Sequence, residues 1–474
     1  MKATLFAAAC LAAALPLTAS PLDMDSYLDQ VRQGNQQLRS DKALDAAYAL
    51  QAKQPLTAYS PQLSAQLTRD DDQTVPVLAV LSPSHTQSTQ WGASLSQFYG
   101  TGTQVTASYQ GDYTALNFPG GLGSLFPAGA LDPTWGQQFS VTVSQSLWRN
   151  FMAAQVQANV DLAAAGSEAS RAGNRYAAQA LLFQARQAFI ELSTVRQVAA
   201  LQQESLERNQ KILEWTQRKF DDNLADKVDV LQVQAALQQV ALGLSQSRED
   251  EARDRAVFNA LRGLSPSAGV DELAPLVAPT ELPKAVPGRQ DLLAAQAALK
   301  ASDALVRQVT QSFTPDLSVF ATLGTNDRNA SGAVAAGVAF QNEYPSELFG
   351  IKLTANLDLP LYRQVLAGAQ QAKGSGEAQV ADKQSEIDKD WEQLRQGWAG
   401  TQERLGLAQQ LEGLQKEKAD REKVRYQDGR TTNFQVLRFE DDYNLSRVQT
   451  LQLTAEANVL AATAHFYNAE DQPW

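Results

Sequence analysis

Phe220-Asp221-Asp222-Asn223-Leu-Ala-Asp226-Lys-Val-Asp229-Val230-Leu231 and Tyr426-Gln-Asp428-Gly429-Arg430-Thr-Thr432-Asn-Phe-Gln435-Val436-Leu437 are two versions of one turn, a constant 206 residues apart. Asn223 and Gly429 are the residue types that accept the left-handed conformation closing a helix. Asp226 and Thr432, three residues on, are good N-caps for a following helix. Asp229 and Gln435 hold the third position after each cap, where a side chain reaches back to the cap amide. Val230-Leu231 and Val436-Leu437 then open apolar seams. Each stretch predicts a helix, a tight reversal and a returning helix.

The flanking sequence lengthens these helices. Proline lacks an N–H and breaks helices, and none of the 18 prolines lies between Pro133 and Pro266 or between Pro360 and Pro473. Both proline-free stretches are rich in Ala, Leu, Gln, Glu, Lys and Arg, which favour helix. Leu192, Ala199, Leu206, Leu213 and Phe220 recur every seven residues; Val230, Val233, Leu237, Val240 and Leu244 follow a 3-4-3-4 spacing. Trp391, Trp398 and Leu405, then Leu453, Leu460 and Tyr467, keep the seven-residue interval. That spacing is a coiled-coil seam. A helix from Phe151 to Phe220 reaches about 105 Å, more than a compact domain of this size needs.

Alternating segments precede the long helices. Phe139, Val141, Val143 and Leu147 alternate with Ser140, Thr142, Ser144 and Ser146; Ile351, Leu353, Ala355, Leu357, Leu359 and Leu361 alternate with polar residues and Pro360. Shorter versions begin at Pro61-Gln-Leu63-Ser-Ala65-Gln-Leu67 and Pro315-Asp-Leu317-Ser-Val319-Phe-Ala321. Strands of this length, apolar on one face and polar on the other, suit a barrel with lipid outside and water inside. The expected fold is therefore a mixed α/β membrane protein with four β-strands per protomer. Trp148 and Tyr362, at the strand-to-helix corners, are the expected membrane-interface aromatics. Trp91, Ala93 and Leu95, then Val105, Ala107 and Tyr109 around Gly100-Thr-Gly102, read as an extracellular hairpin extending past the membrane. Gly120, Gly121 and Gly123 read as loop residues rather than a phosphate cradle.

Residues 1–19 read as a signal peptide, with Lys2 as the charged start, Leu5 to Leu15 as the apolar core and cleavage after Ala19 or Ser20. Cys10, the one cysteine, lies inside it; a lipid-anchored start there is the disfavoured alternative, because the apolar stretch before it is short. Residues 20–265 form a first repeat, Pro266 to Pro287 a linker with five prolines, and residues 288–474 a second repeat. The formal net charge of −12 opposes nucleic-acid binding. The two histidines, His85 and His465, have no metal-type neighbours, and no nucleophile or cofactor constellation points to an enzyme.

The order helix, strand, strand, long helix, turn, returning helix, given twice, resembles the TolC-like outer-membrane factor family over nearly the whole chain after the signal. Local strings carry the resemblance: Arg289-Gln-Asp-Leu-Leu-Ala-Ala running to Pro315-Asp-Leu-Ser-Val, Arg425-Tyr-Gln-Asp-Gly429 followed by Val436-Leu437, and Phe258-Asn-Ala-Leu-Arg-Gly263. The resemblance implies a homotrimer in the outer membrane, whose strands close a twelve-stranded barrel above an α-helical barrel in the periplasm. It implies a periplasmic adaptor and an inner-membrane transporter as partners, no cofactor, and a passive duct for efflux or type I secretion. By the same resemblance Tyr426 is the tip tyrosine and Asp229 the aspartate it approaches. Gln435 and Arg438 stand where the family's pattern has aspartates, and its tip arginine falls at Thr431, one place after Arg430. The candidate periplasmic gate is Asp222, Asp226, Asp229, Tyr426, Asp428, Gly429 and Arg430; the plainer reading is that these residues only cap helices. The rival function is a periplasmic coiled-coil adaptor or scaffold.

Overall fold

The structure is a computed structural model describing residues 21–74, 83–118, 127, 129, 132–284, 288–341, 344–468 and 473–474. The expected signal peptide, Gly120, Gly121, Gly123 and Pro287 lie outside the described residues. In chain order the elements are α1 (Met24–Gly34), α2 (Gln36–Gln51), β1 (Gln62–Asp72), β2 (His85–Phe98), β3 (Thr103–Asn117), β4 (Thr134–Ser146), α3 (Ala154–Asp221) and α4 (Lys227–Leu261). They continue with α5 (Gln290–Phe313), β5 (Asp316–Asn329), α6 (Gly332–Ala339), β6 (Pro345–Thr354), α7 (Leu359–Gln427) and α8 (Asn433–Tyr467). The chain divides into two compact units: a helical one of residues 21–44, 173–292 and 384–474, and a second, carrying the sheet, of residues 45–172 and 293–383.

The mixed fold with very long helices is present: α3 has 68 residues and α7 has 69, about 100 Å each at 1.5 Å per residue. Among the described residues, the expected four strands are corrected to six. All six form one antiparallel meander in sequence order. The stretch expected as an extracellular hairpin supplies β2 and β3, hydrogen-bonded on both sides to β1 and β4. Their turn does not extend beyond the sheet's far edge. It lies where β4 leaves for α3: Ser146 N donates to Gly102 O at 3.0 Å and Met152 N to Thr101 O at 3.2 Å. β6 ends at Thr354, so Leu357, Leu359 and Leu361 are not strand residues; Pro360 sits in the first turn of α7, where its missing N–H costs nothing.

The helical unit is built around Tyr27, which is fully buried and stacks on Phe258 with ring centroids 4.0 Å apart. Gly34 packs against Arg262 so closely that a Cβ would lie 2.0 Å from the Arg262 carbonyl oxygen, so only glycine fits. The proline-rich linker lies along this unit as a strap held by its carbonyls. Asp271 O accepts from Arg196 at 2.9 Å, Val277 O from Asn458 at 3.1 Å, and Lys284 O from Asn468 at 2.8 Å. Arg289, almost fully buried, closes the strap with ion pairs to Asp291 at 2.7 Å and Asp390 at 2.6 Å. In the sheet unit, Arg171 holds Asp45 through two nitrogens and Lys373 holds Asp303 at 2.8 Å, tying the shorter helices to the long ones.

Candidate functional site

The sheet's two faces differ along every strand. One hydrogen-bonded row crosses all six strands as Ser64, Ser94, Ser108, Ser140, Gly324 and Ser346. Its hydroxyls bond across strands, Ser64 to Ser94 and Ser108 to Ser140, both at 2.7 Å. The next rows on this face bring Gln66, Gln110, Gln138 and Asn326 together, and Gln90 beside Asp112. These amides line a recess of about 520 Å³, where Arg328 pairs with Asp112 at 2.9 Å. A face of hydroxyls, amides and one ion pair is suited to water.

The opposite face carries Leu63, Leu95, Ala107, Val141 and Leu323 in one row, with Val105, Val143, Phe349 and Ile351 beside them. Leu63 and Leu67 are each 76% exposed and Ile351 is 74% exposed. Phe340, at the end of α6, packs on Tyr109 and Phe139 of this face; elsewhere, apolar side chains this open call for a hydrocarbon environment. Of the expected interface aromatics, Trp148 is exposed just after β4. Tyr362 is half-buried against Phe313, with ring centroids 4.8 Å apart.

The two turns lie in the helical unit and share one backbone solution. Asn223 has φ 59° and Gly429 φ 73°. Leu224 N donates to Lys219 O at 2.7 Å, and Arg430 N to Arg425 O at 2.8 Å, the wide hydrogen bond of a left-handed helix end. Asp226 and Asp229 form a reciprocal capping box, with Asp226 N donating to Asp229 Oδ2 at 3.0 Å. In the second turn the box is divided. Thr432 accepts from Gln435 N at 3.4 Å, while the Gln435 side-chain oxygen accepts from the Thr431 hydroxyl at 2.6 Å.

Tyr426 joins the turns. It is 4% exposed and packs with Ile212, Val233, Val436 and Leu437. Its hydroxyl lies 2.9 Å from Thr216 Oγ1, and Lys219 lies 3.8 Å above its ring while donating to its carbonyl at 3.0 Å. Burial is the first cause raising the phenol's pKa, with the Asp229 charge adding to it; burial lowers that of Lys219. Asp229 O accepts from Asn433 at 3.1 Å. Asp222, Asp226, Asp428, Gly429 and Arg430 are exposed. Among the described residues of one protomer, Arg430 has no acidic partner.

Sequence reasoning missed a polar ladder further from the turn. Arg208 donates to Glu440 at 2.8 Å, Asn444 to Ser205 at 2.5 Å, and Arg447 to Glu204 at 2.6 Å, joining α3 to α8. The row of α3 buried here is Ser205, Asn209, Ile212 and Thr216. It lies one position off the expected Leu206 and Leu213, which are half-buried. The signal was hidden because polar residues fill three of these four seam positions.

No protein-family model matches the sequence. Solved structures do match the fold. A membrane protein from Pseudomonas aeruginosa aligns at TM-score 0.69 with 18% identity, over 94% of this chain and 93% of that one. The outer membrane protein VceC from Vibrio cholerae aligns at 0.67 with 15% identity, over 94% and 96%. The outer-membrane channel OprN aligns at 0.66 with 18% identity, over 94% and 89%. The chain therefore has the TolC-like outer-membrane channel fold.

Proposed function

We propose that the protein is a passive outer-membrane exit duct. It works as a homotrimer with a periplasmic adaptor and an inner-membrane transporter, in efflux or type I secretion. The observation that carries this reading is the division of the sheet into an exposed leucine-rich face and a face of serines and amides. In a closed barrel these become the lipid-facing and water-facing walls. The two capped turns, with Asp222, Asp226 and Asp428 exposed, Asp229 half-buried and Tyr426 buried between them, serve as the periplasmic gate. Three copies of the acidic first turn around an axis favour cations. Trp148 and Tyr362 lie toward the periplasmic membrane interface. The duct performs no chemistry; the transporter supplies the energy.

A periplasmic adaptor would have to bury the leucine face in protein, and Leu63, Leu67, Leu95, Leu323 and Ile351 of that face stand exposed. Membrane fractionation tests the reading. The protein is expected with outer-membrane markers, and its deletion is expected to raise antibiotic susceptibility or empty the secretome of particular polypeptides. Recovery in the soluble periplasmic fraction would overturn it.

A further inference from the structure

Among the described residues, the sheet has two unpaired edges, β1 and β6. β1 is exposed along all 11 of its residues, and β6 along nine of ten, with Gly350 the exception. Open edges of this length are templates for strand pairing. With six strands in an antiparallel meander, β1 and β6 run in opposite directions. The β6 of one protomer can therefore continue the ladder onto the β1 of the next without breaking the pattern. We propose that the edges close in this way, resting on the trimeric-duct reading above, so that three copies make a barrel of eighteen strands, not twelve.

The register of the new pair follows from three observations. Leu63, Ala65 and Leu67 share the apolar face with Phe349, Ile351 and Leu353. Because successive side chains alternate faces, only every second register keeps lipid-facing residues together. Second, the sheet is staggered: the row through Leu63 reaches β6 at Glu347, above its apolar residues. Closure must shift β6 against the next β1 in that same sense. Third, two registers of the right parity fit the stagger, and charge decides between them. One places Glu347 opposite Asp71. The other places Glu347 opposite Arg69, Phe349 opposite Leu67, Ile351 opposite Ala65 and Leu353 opposite Leu63.

Within one protomer's described residues neither Arg69 nor Glu347 has a charged partner, and both are exposed. The second register joins them, pairs every β6 residue and sets Lys352 beside Ser64 on the water-facing side. Its stagger corresponds to a strand tilt of roughly 35°, within the range of closed barrels. Eighteen strands at that tilt span roughly 34 Å across the backbone, against roughly 22 Å for twelve.

Cysteine pairs test this directly, since the only native cysteine is Cys10. Ala65→Cys with Ile351→Cys in the full chain is expected to give oxidative cross-links between chains, appearing as dimers and trimers on denaturing gels. Leu67→Cys with Ile351→Cys should link at least ten-fold less, and Ser64→Cys with Ile351→Cys not at all. Arg69→Glu should reduce the heat-resistant trimer several-fold, and adding Glu347→Arg should restore it. Labelling tests the strand number: Ser94→Cys should react with a water-soluble thiol reagent and Leu95→Cys should be shielded. Equal reactivity of both would place β2 and β3 outside the barrel and overturn the eighteen strands. In an outer-membrane trimer, a link only between Leu67→Cys and Ile351→Cys would overturn the register, and no link in any pair would overturn the closure; both leave the duct reading intact. A soluble monomer would defeat both.

Discussion

The two turns fold alike and are charged unlike. The first is closed by Asn223 and capped by two aspartates that satisfy each other's amides; the second is closed by Gly429, and its cap shares its partners with Thr431. Exposed Asp221, Asp222 and Asp226 of the first turn correspond to exposed Gln427, Asp428 and Thr432 of the second. Only the second turn contributes a buried aromatic, and Tyr426 reaches across to Thr216 on the first hairpin. Backbone geometry was thus kept in both while the side chains diverged. Where the divergence carries a contact between hairpins, it should carry stability; where it is exposed, it should carry charge.

Substitutions in the two turns can break this contrast. Tyr426→Ala removes the aromatic shared by both hairpins and should cost about 3–4 kcal/mol, read as a lower denaturant midpoint for the purified protein. Glu440→Ala leaves Arg208, 20% exposed, facing a lost partner. It should cost about 2 kcal/mol after allowing for that access to water. Gly429→Val forces a β-branched residue into the left-handed region and should cost about 1–2 kcal/mol, whereas Asn223→Gly should change stability by only a few tenths. Valine tolerated at 429 as well as glycine is at 223 would show that the turns do not share a backbone constraint. Tyr426→Phe should cost about 1 kcal/mol or less, because Thr216 still donates to Ile212 O at 2.9 Å.

The pH response separates the same residues. Burial raises the Tyr426 pKa above its ordinary value near 10. The unfolded chain therefore loses this proton first as pH rises. The stability tied to the neutral phenol is complete below about pH 10 and declines above it, toward the raised folded value. Tyr426→Phe should flatten that part of the stability profile. An unchanged alkaline slope would place the titrating group elsewhere.

What could be read from the sequence follows the range of the interactions. The turns were legible because their caps lie within three residues of each other and occur twice. The long helices were legible from where proline is missing. Strands β2 and β3 were recognised as alternating but assigned outside the membrane. Their water-facing side of Ser, Thr and Gln resembles loop sequence, and the residues that hold them in place, on β1 and β4, are not adjacent in sequence. The Arg208–Glu440 ladder joins residues 232 apart, and nothing local marks either member. The seam fell one position off because Ser205, Asn209 and Thr216 are buried where an apolar rule expects leucine.

Conductance in planar bilayers tests the central claim most directly. Purified trimers should give discrete, cation-preferring steps, and replacing Asp221, Asp222, Asp226 and Asp229 with asparagine should weaken that preference. Trimers that enter the bilayer and pass no current, or a selectivity indifferent to all four aspartates, would contradict the account.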